Sequence, residues 1–135
     1  MGFDQYHEPP AELSPQTRTF ARLCASLTEE AEAIGWYEQR LAVETDAEAK
    51  AIMRDAQGEE FKHFAMDLEF LLRRSPRWRQ ICEGVLFQDG DIVEHGEAAE
   101  AGSADGGDDD GGDDDGETGA ADGALEIGSL KEAER

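Results

Sequence analysis

The chain has 135 residues, a formal net charge of −21 from 33 acidic and 12 basic side chains, and two cysteines. That balance excludes nucleic acid and anionic membrane as partners, since both need clustered Lys and Arg. No apolar run approaches the ~20 residues of a membrane span, and no secretory signal pattern opens the chain, so a cytoplasmic protein with reduced Cys24 and Cys82 is expected.

Residues 1–13 form a polar leader in which His7, Glu8, Pro9 and Pro10 read as extended chain. Ser14 followed by Pro15 is a helix start, with Ser as N-cap and Pro at the first helical position. The first helix is predicted from Pro15 to Val43. Phe20, Leu23, Leu27, Ile34, Tyr37 and Leu41 fall at three- and four-residue steps with one gap, and Glu30 fills that gap. The apolar stripe therefore has a carboxylate set into it.

Thr45 and Asp46 make a break and a new N-cap, and a second helix is predicted from Ala47 to Arg74. Its apolar positions are Ile52, Met53, Ala56, Phe61, Phe64, Leu68, Leu71 and Leu72. Gly58 inside it costs ~1 kcal/mol relative to Ala, which points to close approach of a neighbour. Arg73 and Arg74 suit the negative end of the macrodipole. The short connection makes the two helices an antiparallel hairpin. Ser75-Pro76 starts a shorter third helix ending near Phe87, and Asp89-Gly90 is a turn.

Foldable sequence ends at about residue 95. Residues 1–95 hold 19 acidic and 10 basic side chains, and residues 96–135 hold 14 and 2. Residues 96–124, with Asp108–Asp110 and Asp113–Asp115 set among glycines, read as a disordered acidic linker. In residues 125–135 the apolar Leu125, Ile127 and Leu130 return, as expected of a docking tag on a tether. A helical domain this small has a large surface relative to its core, so oligomerisation is expected.

Glu60-Phe61-Lys62-His63 is an E-x-x-H, whose carboxylate and imidazole share one helical face and point at one metal. Alone it is weak in a Glu-rich chain, where a solvated polar face is the commoner outcome. Glu30 changes its weight. Ferritin-like di-metal centres take a Glu from each of two helices and an E-x-x-H from each of two others. This chain offers one of each, which is half the set, and a two-fold dimer completes it. Two copies of Glu30 and Glu60 supply four negative charges, matching two ferrous ions. An oxygen-rich site with one imidazole per metal suits iron or manganese, with zinc or calcium as alternatives in the same or adjacent sites. Glu29 and Glu32 flank Glu30 but cannot all face the same way. They are solvated, or they form an outer cation-collecting ring. Tyr37, two turns after Glu30, shares its face, and Trp36 reads first as packing. His7 and His95 lie outside the predicted helices and are not expected to bind metal.

With these residues in place the chain resembles an encapsulated ferritin. The similarity runs through Gln5-Tyr6-His7-Glu8-Pro9, Glu29-Glu30-Ala31-Glu32, Trp36-Tyr37, Glu59-Glu60-Phe61-Lys62-His63 and Arg73-Arg74-Ser75-Pro76. Leu125-Glu126-Ile127-Gly128-Ser129-Leu130-Lys131 is similar to peptides that direct cargo into encapsulin nanocompartments.

The resemblance implies an all-α half-ferritin that dimerises into a four-helix bundle and forms a ring-shaped decamer. It implies oxidation of Fe(II) by dioxygen at a di-iron centre, with iron stored inside an encapsulin shell. It implies Glu30, Glu60 and His63 as catalytic iron ligands, Glu29 and Glu32 as a secondary uptake site, and Trp36 and Tyr37 beside the centre. Lys62 departs from the pattern and weakens any further acidic site there. Two readings compete with the ferroxidase: a non-catalytic metal-binding or adaptor module tethered to a shell, and a plain dimerisation domain.

Overall fold

A computed structural model describes residues 6–104 of the chain, and the described residues form an all-helical fold. Helix α1 spans Pro15–Val43 and α2 spans Ala47–Leu72. Helix α3 spans Pro76–Val85 and α4 spans Ile92–Ala104. The C-terminal peptide residues Leu125, Ile127, Gly128, Ser129 and Leu130 lie outside the described residues, as does Gln5.

Local chemistry sets the first two helices. Pro15 opens α1, and the Ser14 hydroxyl accepts the Thr17 amide at 3.1 Å. The Asp46 carboxylate accepts the Ala49 amide at 2.8 Å and caps α2. Between them Glu44 accepts the amides of Thr45 and Asp46, both at 2.8 Å. These backbone hydrogen bonds, Asp46 first, hold the Glu44 carboxyl below its ordinary range. The turn thus satisfies the amides that helix starts leave without intrahelical partners, and α2 folds back antiparallel on α1.

The leader is not wholly extended, because Pro10–Glu12 closes a single 3₁₀ turn with Pro at its start. Helix α2 stops at Leu72, two residues short of expectation, and Arg73 and Arg74 form the turn into α3. Ser75 at φ −135°, ψ 86° makes no side-chain cap, so Pro76 alone marks the start of α3. Helix α3 ends at Val85, before Phe87, which takes a left-handed φ of 60° and is fully exposed.

The foldable part does not end at residue 95. After a turn in which Gly90 takes φ +111°, Asp91 accepts the amides of Val93 at 2.8 Å and Glu94 at 3.0 Å. That cap starts α4, which packs closely on α3. A Cβ built on Gly84 would lie 2.6 Å from the Ala99 Cβ, so α3 needs a glycine there. Nothing approaches Gly58, contrary to expectation; an added Cβ would meet open space.

The core of one chain is thin. Among the described residues only Leu71 is completely buried, with Ala25 and Leu72 close behind. Phe20 of α1 meets Trp78 of α3 with ring centroids 6.5 Å apart. Of the apolar positions expected to pack in α2, Ile52 and Phe61 are more than half exposed, as is Met66. One partner helix covers one stripe, and α2 carries apolar side chains beyond that stripe. Cys24 and Cys82 are free, and partial burial pushes both thiols up. Among the described residues no helix is long and apolar enough to cross a membrane.

Candidate metal centre

The antiparallel pairing brings the middle of α1 against the middle of α2. Glu30 sits in the stripe that faces α2, and Glu60 and His63 share one α2 face by their three-residue spacing. Each of the three offers a ligand atom within 4.8 Å of the other two. His63 Nδ1 is 3.6 Å from Glu60 Oε2 and 3.9 Å from Glu30 Oε2. These separations are too long for hydrogen bonds. They fit donors converging on one ion, because ligands about 2.1 Å from a common metal lie roughly 3–4 Å apart. The side chains of Glu30 and Glu60 are 19% and 23% exposed, against 46% for His63, so the cluster opens on one side.

Electrostatics fit the same donor set. The Glu30 carboxyl is pushed up to about 6, mainly by the hydrogen bond it makes with Glu60, then by burial and the charge of Glu60. His63 opposes this shift and Asp67 adds to it. Two carboxyls forced together hold a proton up to about pH 6, and in that range a cation would displace it. Asp67, one turn beyond His63, adds a buried oxygen (Oδ2) with no hydrogen-bond partner. Buried polar atoms are rarely left this way.

The remaining residues of the sequence reading are not part of this cluster. Glu29 and Glu32 are exposed on α1, as their divergence from Glu30 requires. Trp36 is 53% exposed. Tyr37 is partly buried, with the Arg40 guanidinium 5.2 Å from its ring centroid. Lys62 is exposed and pairs with Glu59. His95 binds the Asp89 carbonyl at 2.8 Å, far from the triad along the chain. Two neighbours were not singled out from sequence: Asp67, and Gln57, the one buried polar residue among those described. The signal was present, because positions 57, 60, 63 or 64, and 67 step along a single helical face.

Comparison with known proteins gives this arrangement a context. Residues 5–89 match the EncFtn-like family. Over 100 residues the chain is 42% identical to a ferritin-like protein of Thermotoga maritima, covering 74% of this chain and 88% of the relative. Over 125 residues it is 40% identical to an encapsulated ferritin-like protein of Rhodospirillum rubrum, covering 93% and 86%. A crystal structure of a Nitrosomonas europaea protein superposes with a TM-score of 0.65 at 40% identity, covering 67% of this chain and 99% of that one.

Proposed function

This chain belongs to the EncFtn-like family of encapsulated ferritin-like proteins, and from that premise we propose that it is a ferroxidase, taking Fe(II) as substrate and oxidising it to Fe(III) with dioxygen. The carrying observation is the Glu30–Glu60–His63 cluster, half a ferritin-like donor set on a hairpin whose apolar face is uncovered. A second copy related by a two-fold axis supplies the same donors from the other side.

Four carboxylates, from two copies of Glu30 and Glu60, neutralise two divalent ions and lower the cost of burying them. Each Fe(II) gives one electron to dioxygen. The chain's part is to bind, orient and shield. Below about pH 6 Glu30 must lose a proton for the cation to bind, and above it the crowded carboxylates that raised its pKa favour a positive ion directly. His63 supplies the nitrogen donor. Trp36 and Phe61, both 53% exposed in a single chain, become cover that excludes water once a partner docks. Glu29 and Glu32 are placed to collect cations outside. The test is oxygen consumption on adding Fe(II) to the full chain, with Glu30→Ala expected to abolish it. Metal binding with no oxygen consumption by the unaltered protein would favour the adaptor reading instead.

The family premise extends to location. We assign the acidic segment after α4 as a tether, and Leu125, Ile127, Gly128, Ser129 and Leu130 as the peptide that docks to an encapsulin shell. There the oxidised iron would be stored, since an open ring of dimers encloses no cavity of its own. Deleting residues 125–135 is expected to leave oxygen consumption intact and to end co-purification with the shell. Continued co-purification would move the docking site elsewhere.

A further inference from the structure

Gln57 is 8% exposed and lies on the α1–α2 seam. Its side-chain amide donates to the Ile34 carbonyl at 3.3 Å and to the Glu38 Oε2 at 3.0 Å, both on α1. A helical carbonyl keeps a second lone pair for such a donor. Apart from the Glu30–Glu60 contact inside the cluster itself, these are the side-chain hydrogen bonds found among the described residues that join α1 to α2. They lie beside the cluster: Gln57 precedes Glu60 by three residues, about 4.5 Å along the axis, and Ile34 follows Glu30 by four, about 6 Å.

At its closed end the pairing is also constrained by the capped turn at residues 44–46. Glu30 and Glu60 each lie fourteen residues from it, roughly 20 Å along the helices. An apolar seam of that length resists separation but not rotation, since hydrophobic contact is non-directional. A turn of α2 by 20° about its own axis would move a side chain at about 5.5 Å radius by about 2 Å. Metal sites need donors held within ~0.5 Å and 10–20°. A buried side-chain amide such as that of Gln57 suits this task, because its partners on α1 stand at one register only, as the partners of polar residues in coiled-coil cores do.

We propose that Gln57 is a positioning residue, which fixes the rotation and height of α2 against α1 through Ile34 and Glu38 so that Glu60 and His63 meet Glu30 across the seam. It touches no metal and acts only through the helix that carries two of the three donors. The proposal rests on the metal-site reading above.

The test uses Co(II) alone as the probe, added to the full chain and read by its visible absorption bands, which report donor number and geometry. Gln57→Leu keeps the volume and removes both hydrogen bonds. It is expected to weaken Co(II) binding about tenfold and to change the band shape, with helical circular dichroism retained. Gln57→Glu sets a carboxylate against Glu38 and a carbonyl, and should weaken binding further. Adding Glu38→Gln to Gln57→Glu restores a donor–acceptor pair with its direction reversed, and should recover most of the lost affinity. A purely structural role would lower the melting temperature and leave the bands of the folded protein unchanged. Equal binding and equal bands for the unaltered and Gln57→Leu proteins would overturn the inference alone, as would a double variant no better than Gln57→Glu. An unaltered chain that binds no Co(II) would remove the metal-site reading and this inference with it.

Discussion

The two helix pairs of this chain pack by opposite rules. Helices α3 and α4 meet through small residues, so closely that Gly84 has no room for a methyl group against Ala99. Helices α1 and α2 meet along a seam that admits Gln57, Glu30, Glu60 and part of Asp67, and leave Trp36 and Phe61 exposed. A hairpin built only for stability would fill those seam positions with Leu or Ile, since burying carboxyls without a counter-charge is unfavourable. The first pair reads as scaffold, and the second as a scaffold compromised in favour of a site. On the proposed reading, the exposed apolar side chains of α2 are where a second copy would relieve that compromise.

The largest effect expected from this contrast is chemical. His63→Ala and Glu60→Gln should each lower Fe(II)-dependent oxygen consumption by more than about a hundredfold, because in the proposed two-fold site each removes a donor twice. Hydrogen exchange of α3 and α4 should be unchanged in both. A near-normal rate would return the cluster to a solvated polar face.

Gly84→Ala tests the other pair. A Cβ 2.6 Å from that of Ala99 forces the helices apart, at a cost of about 1–3 kcal/mol. Faster hydrogen exchange in α4 with unaltered metal binding is the expected pattern, and Ala99→Gly in the same chain should reverse it. Loss of metal binding instead would mean that the two pairs are coupled.

A smaller effect separates the pairs by pH. Glu30 is raised from 4.5 to about 6 in the folded chain, chiefly by its hydrogen bond with Glu60. The folded state therefore holds this proton more tightly than the unfolded state. Its contribution favours the metal-free fold below pH 4.5 and is lost as pH rises through about 6. Melting temperatures from about pH 4 to about pH 7 should show that loss in the unaltered protein and not in Glu30→Gln. Divalent metal has the opposite dependence, binding more weakly as pH falls through about 6, because the ion competes with the same proton.

The smallest effect concerns Gly58. Its position in α2 is exposed and a Cβ would meet nothing within 4 Å. Gly58→Ala should stabilise a single chain by up to ~1 kcal/mol, measured by chemical denaturation at low protein concentration. A variant that is stabilised but no longer associates would place Gly58 against the second copy.

Much of the hairpin was legible in the sequence. Ser14-Pro15 and Asp46 announced α1 and α2 through local capping chemistry, and Glu30 announced itself by interrupting an apolar stripe. The E-x-x-H spacing put Glu60 and His63 on one face without any tertiary information. Helix α4 was missed because it lacks an apolar period: Gly96 and the Glu–Ala alternation resemble a linker. Its evidence is tertiary, in the fit of Ala99 over Gly84, although Asp91 after Gly90 was a cap that could have been read. Gln57 and Asp67 escaped because a polar residue on a Glu-rich helix is ordinarily solvated. Only burial distinguishes Gln57, and only an unpartnered oxygen distinguishes Asp67. The exposure of Ile52 and Phe61 could not be foreseen from periodicity, which gives the stripe but not the number of partners covering it.

On the proposed reading a single chain holds half a metal site. Native mass spectrometry of the full chain, with and without Fe(II) under anaerobic conditions, measures it directly. The expected result is metal confined to even-numbered assemblies, at one ion per chain, with Fe(II) shifting the population away from monomer. A monomer carrying iron and consuming oxygen at the rate of the assembled protein would contradict it.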